Sequence, residues 1–235
     1  MYKYAVTLSL LCLMIQGCVA GLQFHVNVDS ISGPENVSNS KYILLPGVKN
    51  VEITDLQYRE YASYVERALA SLGYIKASDF AEADIAIFLG YGIGEPETHQ
   101  FTYSLPTWGQ TGVSSSSTYG TLNAYGSTAT YSGTTTYTPT YGVTGSTTYA
   151  GSRTNYFRYM FLDAVDLKEY RNTKKEKQVW KTTVTSSGSS GDLRQVLPVL
   201  VAASKDYIGT NTGKMVKIVL SENDKRVIEI KGLEK

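Results

Sequence analysis

Between residues 98 and 152 the chain contains no Asp, Glu, Lys or Arg, although charged residues make up 18% of the whole. Tyr, Thr, Ser and Gly take their place. Disordered segments are usually charged and poor in aromatics, so this stretch reads as ordered, extended chain. Thr and Tyr favour strands, while the Gly, Ser and Asn among them favour turns. Tyr119, Tyr125, Tyr131 and Tyr137 recur every six residues. Six is a whole number of strand periods, so the four rings fall on one face of any strand that keeps its register. An unbroken strand from Tyr119 to Tyr137 would run roughly 60 Å at about 3.3 Å per residue, well beyond the usual strand length. The chain is therefore expected to fold back, with Gly120, Gly126, Gly133, Pro139, Gly142 and Gly145 as places to turn. The leading expectation is a long hairpin or small sheet whose rings stack across strands and lie over the parent domain. The alternatives are a Tyr-lined surface for a polymer or partner, a hairpin entering a membrane as part of an oligomeric pore, and an aggregation-prone polar and aromatic tract. The residues between the tyrosines are mostly Thr, Ser, Gly and Ala, which weighs against lipid contact.

At 235 residues, 42% of them hydrophobic, the chain is long enough for one domain with a real core plus an elaboration. A formal charge of +1 offers no electrostatic footprint for nucleic acid. Both cysteines lie in the first 18 residues, which excludes a disulfide framework. Lys3 followed by the apolar residues 5–15 has the form of an export signal and is too short for a stable membrane span. It leads into Ile15-Gln16-Gly17-Cys18, which resembles the lipobox of bacterial lipoproteins. That resemblance implies a mature chain beginning at Cys18, with Cys18 carrying the lipid, palmitate included. Three acyl chains exceed the two signals that stable anchoring requires. Val19, in place of the Asp that retains such proteins at the inner membrane, implies the outer membrane, with the domain facing the periplasm.

The expected organisation is a signal at 1–17, an anchor, first strand and linker at 18–40, and an α/β domain at 41–232 interrupted by the insertion at 98–152. Leu22, Phe24, Val26 and Val28 alternate with polar residues as a half-buried strand. Residues 41–45 form a second strand. Thr54 and Gln57 are spaced as a capping box ahead of a helix whose apolar stripe is Leu56, Tyr61, Tyr64, Val65, Ala68, Leu69 and Leu72, closed by Gly73. Residues 83–89 read as a strand buried on both faces, leading through Gly90, Gly92 and Gly94 to another at 101–105. Beyond the insertion come a strand at 155–165, a charged turn at 166–177, a strand at 178–185, and a helix at 192–208 containing Pro198. A closing hairpin pairs residues 215–220 with 227–230. The fold class is α/β, as an α+β sandwich of a mixed sheet with two helices on one face.

Leu69 to Tyr74, the run Ala83-Asp84-Ile85-Ala86-Ile87, the run Leu162-Asp163-Ala164-Val165-Asp166, and Val179-Trp180-Lys181 together resemble a family of uncharacterised Gram-negative envelope lipoproteins carrying a domain of unknown function. The resemblance covers about residues 41–209. It implies a small α/β periplasmic domain and supplies no catalytic residues. The insertion and the C-terminal segment depart from the family pattern.

The chemistry-bearing candidates are few. Gly90, Gly92 and Gly94 follow a buried strand like a nucleotide loop, but Glu95-Pro96-Glu97 supplies carboxylates and no helix start, so the glycines suit a bulge or bend. His25 and His99 stand far apart, and Glu95, Glu97 and His99 form at most a weak ion site, so no metal or cofactor is expected. Ser38 and Lys41 have the spacing of a Ser/Lys pair by chance, and Asp163 and Asp166 face opposite sides of a strand. Trp180 reads as packing. Trp108, beside Pro106 and Gly109, reads as a potential anchor. The expectation is a non-enzymatic lipoprotein that meets another envelope protein, or itself, through the insertion. The rival is a polysaccharide- or peptidoglycan-binding groove lined by Trp108, Tyr119, Tyr125, Tyr131 and Tyr137.

Overall fold

The computed structural model describes residues 22–34, 39–125 and 128–233, and the side chains of residues 125–129 lie outside the described part. Cys18 with its signal segment, and Ser38, also lie outside it. The described residues divide into two compact units: one holds those up to 97 and from 154 onward, the other is Thr98–Arg153.

The larger unit is an α+β domain on a mixed sheet. Its elements in chain order are β1 (Gln23–Ser32), β2 (Lys41–Pro46), α1 (Leu56–Ser71), β3 (Ile75–Lys76) and β4 (Ile85–Ile93). The ends of two long strands follow, β5 (Glu97–Tyr125) and β6 (Thr128–Asp166). After them come α2 (Leu167–Thr173), β7 (Gln178–Gly188), α3 (Leu193–Ser204) with a 3₁₀ turn at Lys205–Tyr207, β8 (Val216–Ser221) and α4 (Lys225–Lys231). The strand order is β3-β2-β4-β6-β7-β1-β8, and β5 pairs with β6 alone. The β2 pairings with β3 and β4 are parallel, and those joining β4, β6, β7, β1 and β8 are antiparallel.

Alternation decides what the sheet buries. On β6, Arg158, Met160, Leu162 and Ala164 are buried, whereas Phe157, Tyr159 and Phe161 are not. The buried set joins Phe24, Val26 and Val28 of β1, Ile87 and Leu89 of β4, and apolar side chains of α1, α3 and α4 in one core. Each fully buried side chain of this kind contributes roughly 1.5–3 kcal/mol. A smaller cluster of Ala83, Ala86 and Leu167, with Phe88 packed against it, lies apart from that core.

Helix α1 keeps its expected place with a different start. Asp55 is its N-cap without a side-chain cap bond, and Thr54 Oγ1 donates to Glu52, so the expected capping box is not made. Leu56 is exposed and Tyr58 buried, because the apolar stripe begins at Tyr58. The helix ends as a Schellman motif: Gly73 sits at φ +86°, with Tyr74 N–H donating to Leu69 and Gly73 N–H to Ala70 at 3.1 Å each.

Three expectations are corrected. The last hairpin is a strand followed by a helix. Val227 and Ile230, three apart and both buried, share a helix face but would oppose each other on a strand, and Asp224 caps the helix by accepting from Arg226 N–H at 3.0 Å. The charged turn at 166–177 begins with α2, capped by Asp166, which accepts from Glu169 N–H at 2.9 Å. Gly90 and Gly92 make no bulge, since the β4 to β6 register runs unbroken from Ile85 opposite Asp166 to Ile93 opposite Arg158. They make room for rings instead. A Cβ on Gly90 would stand 2.0 Å from Phe161 Cζ, and one on Gly92 2.5 Å from the Tyr159 hydroxyl. The irregularity lies on β7, where Ala164 faces Trp180 but Val165 faces Gln178, leaving Val179 as the extra residue.

Candidate interaction surface

The smaller unit, Thr98–Arg153, is a two-stranded antiparallel ribbon made of most of β5 and the first part of β6. The described residues form two strands with a single fold-back between β5 and β6, rather than several short strands with several turns. Thr and Tyr hold the strands extended, and hydroxyls link them: Ser104 to Thr148 at 3.0 Å and Thr118 to Thr135 at 2.8 Å. At its base Tyr103 stacks on Tyr149 with centroids 5.6 Å apart. Elsewhere the rings are open. Trp108 is 72% exposed, Tyr119 77%, Tyr131 60% and Tyr137 63%. The Tyr125 side chain lies outside the described residues.

The fold-back also divides the four tyrosines. Tyr119 is on β5, Tyr131 and Tyr137 on β6. The Thr118 and Thr135 hydroxyls meet, and a Cβ on Gly120 would stand 2.5 Å from the Tyr131 ring. The Thr118 side of β5 therefore shares a face with Tyr131, Thr135 and Tyr137, and Tyr119 points the other way. Nearer the base Tyr103 meets Tyr149 and Ser104 meets Thr148, odd with odd and even with even, so the cross-strand parity changes between there and Thr118. The expected single row, and the groove containing all five rings, are not formed. The six-residue spacing holds only on a strand that does not turn.

A cleaner pattern was missed. Along β6, Tyr131, Tyr137, Tyr141, Val143 and Tyr149 occupy odd positions, and every even position from 128 to 152 is Ser, Thr, Gly or Ala. Counting alternate residues rather than every sixth one reveals it. The remaining odd positions, Gly133, Thr135, Gly145 and Thr147 among them, are small or polar, so the rings are spaced along that set rather than continuous.

Elsewhere, polar groups are engaged locally. The buried Arg158 guanidinium donates to Ser190 O and Ser186 Oγ, both at 2.9 Å, and lies 5.9 Å from the Phe24 ring centroid. Burial holds its pKa below the usual value. Asp84 accepts from Lys41 N–H at 2.9 Å and pairs with Lys168 at 2.8 Å, and the Lys168 bond holds its carboxyl low. A cleft of about 380 Å³ is lined in part by Tyr58, Arg59, Glu66 and Lys76, with Glu66 and Lys76 paired at 2.6 Å. Asp163 accepts from Gln178, and Trp180 is a core residue. Among the described residues no three His, Cys, Asp or Glu gather as metal ligands, and no helix is long and apolar enough to cross a membrane.

No protein-family model matches the chain, and no curated protein matches it. A crystal structure of a PDZ domain protein from Parabacteroides distasonis ATCC 8503 is similar at 12% identity and a TM-score of 0.37. The match covers 85% of this chain and 39% of that one, so the chain spans well under half of that protein's length. A likeness at this level carries no argument about fold or function.

Proposed function

We propose that this chain is a non-enzymatic lipoprotein of the Gram-negative outer membrane, held by lipid on Cys18, that assembles with itself or another envelope protein through its β5–β6 ribbon. One observation carries the reading: a charge-free ribbon whose rings and outer edges are exposed. A two-stranded hairpin is marginal in water by itself, so a ribbon this long gains stability only from a partner that covers it. The lipobox-like run and the envelope-lipoprotein resemblance support the address. On this reading the domain behind the ribbon is a sandwich with α1 and α3 on one face of the sheet, a placement favoured by their common core with alternate strand residues.

Crosslinking in intact cells, with the full chain and with a chain lacking residues 107–150, tests this. Partners captured only by the full chain are expected. Identical partners in both would overturn the ribbon as the contact surface. Polysaccharide binding is the second reading, favoured by the openness of Trp108, Tyr131 and Tyr137 and weakened by Tyr119, which turns away from Tyr131 and Tyr137.

A further inference from the structure

We propose that ribbons from several copies of this chain join edge to edge, β5 of one against β6 of the next, and close into a β-barrel that crosses a lipid bilayer with the β6 rings outward. This rests on the assembly reading and names the partner, further copies of the same chain.

The edges argue for the copies. Strand β5 spans 29 residues and, among the described residues, pairs with no strand but β6. Natural proteins blunt such edges with charge, bulges or a covering element, because bare edges recruit other strands. Residues 98–152 carry no charge at all. Closure into a barrel satisfies both edges of every ribbon, and it is the one way strands cross hydrocarbon, where unpaired backbone groups are not tolerated.

Composition argues for the bilayer. A charged side chain facing lipid is strongly disfavoured, and the ribbon has none to place there. Transmembrane strands alternate an apolar, aromatic-bearing face with a polar lumen face. On β6 every large side chain from 128 to 152, Tyr131, Tyr137, Tyr141, Val143 and Tyr149, stands at an odd position, with Ala, Gly, Thr and Pro at the other odd ones, and every even position is hydroxyl-bearing or small. A tilted strand needs about 9–11 residues to span the hydrocarbon core. Both strands exceed that, so they cross with length to spare. Tyr suits the interfaces, where its ring meets lipid and its hydroxyl meets water.

The experiment uses the full lipidated chain reconstituted into phosphatidylcholine and phosphatidylglycerol vesicles and planar bilayers. Copies bearing Thr118→Cys are mixed with copies bearing Thr135→Cys, two positions that share a face, so that any disulfide between the two variants joins separate chains. Mixed disulfides and stepwise conductance are expected. Tyr137→Arg should reduce the number of conducting units about thirtyfold or more, the lower limit for a charge at the lipid midplane, while Tyr137→Phe retains them. Its neighbour Thr136→Arg, facing the lumen, should keep conductance and shift selectivity toward anions. Mixed disulfides with sealed vesicles would overturn the barrel and leave the assembly reading standing. Absence of both disulfides and conductance would overturn the barrel and self-assembly together, and leave the crosslinking experiment to test assembly with another envelope protein. Equal loss from Tyr137→Arg and Thr136→Arg would overturn the assignment of faces and the barrel with it.

Discussion

At the scale of single residues, packing and burial set the consequences. Gly90 leaves the space that Phe161 fills, so Gly90→Ala must displace the ring. It should cost about 1–3 kcal/mol in denaturant unfolding, and most of that loss should vanish in a Phe161→Ala background. Persistence of the full loss there would show that the backbone, not the ring, is the obstacle. Burial pushes the phenols of Tyr42, Tyr58, Tyr61, Tyr74 and Tyr91 above their ordinary 10.0. Each holds its proton more firmly folded than unfolded. Their stabilisation is therefore complete below pH 10 and is lost as pH rises through the folded values. The Tyr58 hydroxyl is buried without a hydrogen-bond partner. Removing an unsatisfied buried hydroxyl relieves about 1 kcal/mol, so Tyr58→Phe should stabilise the fold and raise the pH of alkaline unfolding, followed by tyrosinate absorbance. A lower midpoint would show that the hydroxyl is satisfied.

At the scale of elements, the ribbon and the domain are separate units that share two strands. Antiparallel β4–β6 and β6–β7 pairing continues through residues 156–166 without any residue of Thr98–Arg153. Replacing Thr98–Arg153 with an Asn-Gly turn should leave a domain that unfolds cooperatively, with a midpoint near that of the full chain. Loss of cooperative unfolding would mean the ribbon is part of the domain's stability. The tract was recognisable as strand because Thr and Tyr prefer extended chain. Its division into faces was not, because a one-residue change of cross-strand register inverts a strand's sides. The last seven-residue helix was hidden for a related reason. A short apolar run has no period long enough to separate helix from strand, and the Asp224 cap and Gly232 at φ +71° settle it locally.

At the scale of the whole molecule, lipid attachment makes the sharpest expectation. Cys18→Ala should abolish labelled palmitate incorporation and release the protein from the membrane fraction. Retention of both would remove the lipoprotein reading. For the proposed barrel, anchoring would hold the copies in one plane and so raise their effective concentration for edge pairing. The sequence by itself determined the alternating strands, the α1 helix with its Gly73 stop, the absence of charge between 98 and 152, and the core placement of Trp180, because each follows from local periodicity or from a residue's own conformational preference. Tertiary structure alone decided which alternate face of β6 is buried, how Gly90 and Gly92 admit rings from the neighbouring strand, and that Tyr119 and Tyr131 turn apart. Those outcomes depend on which residue of one strand stands beside which residue of another, and no single segment contains that information.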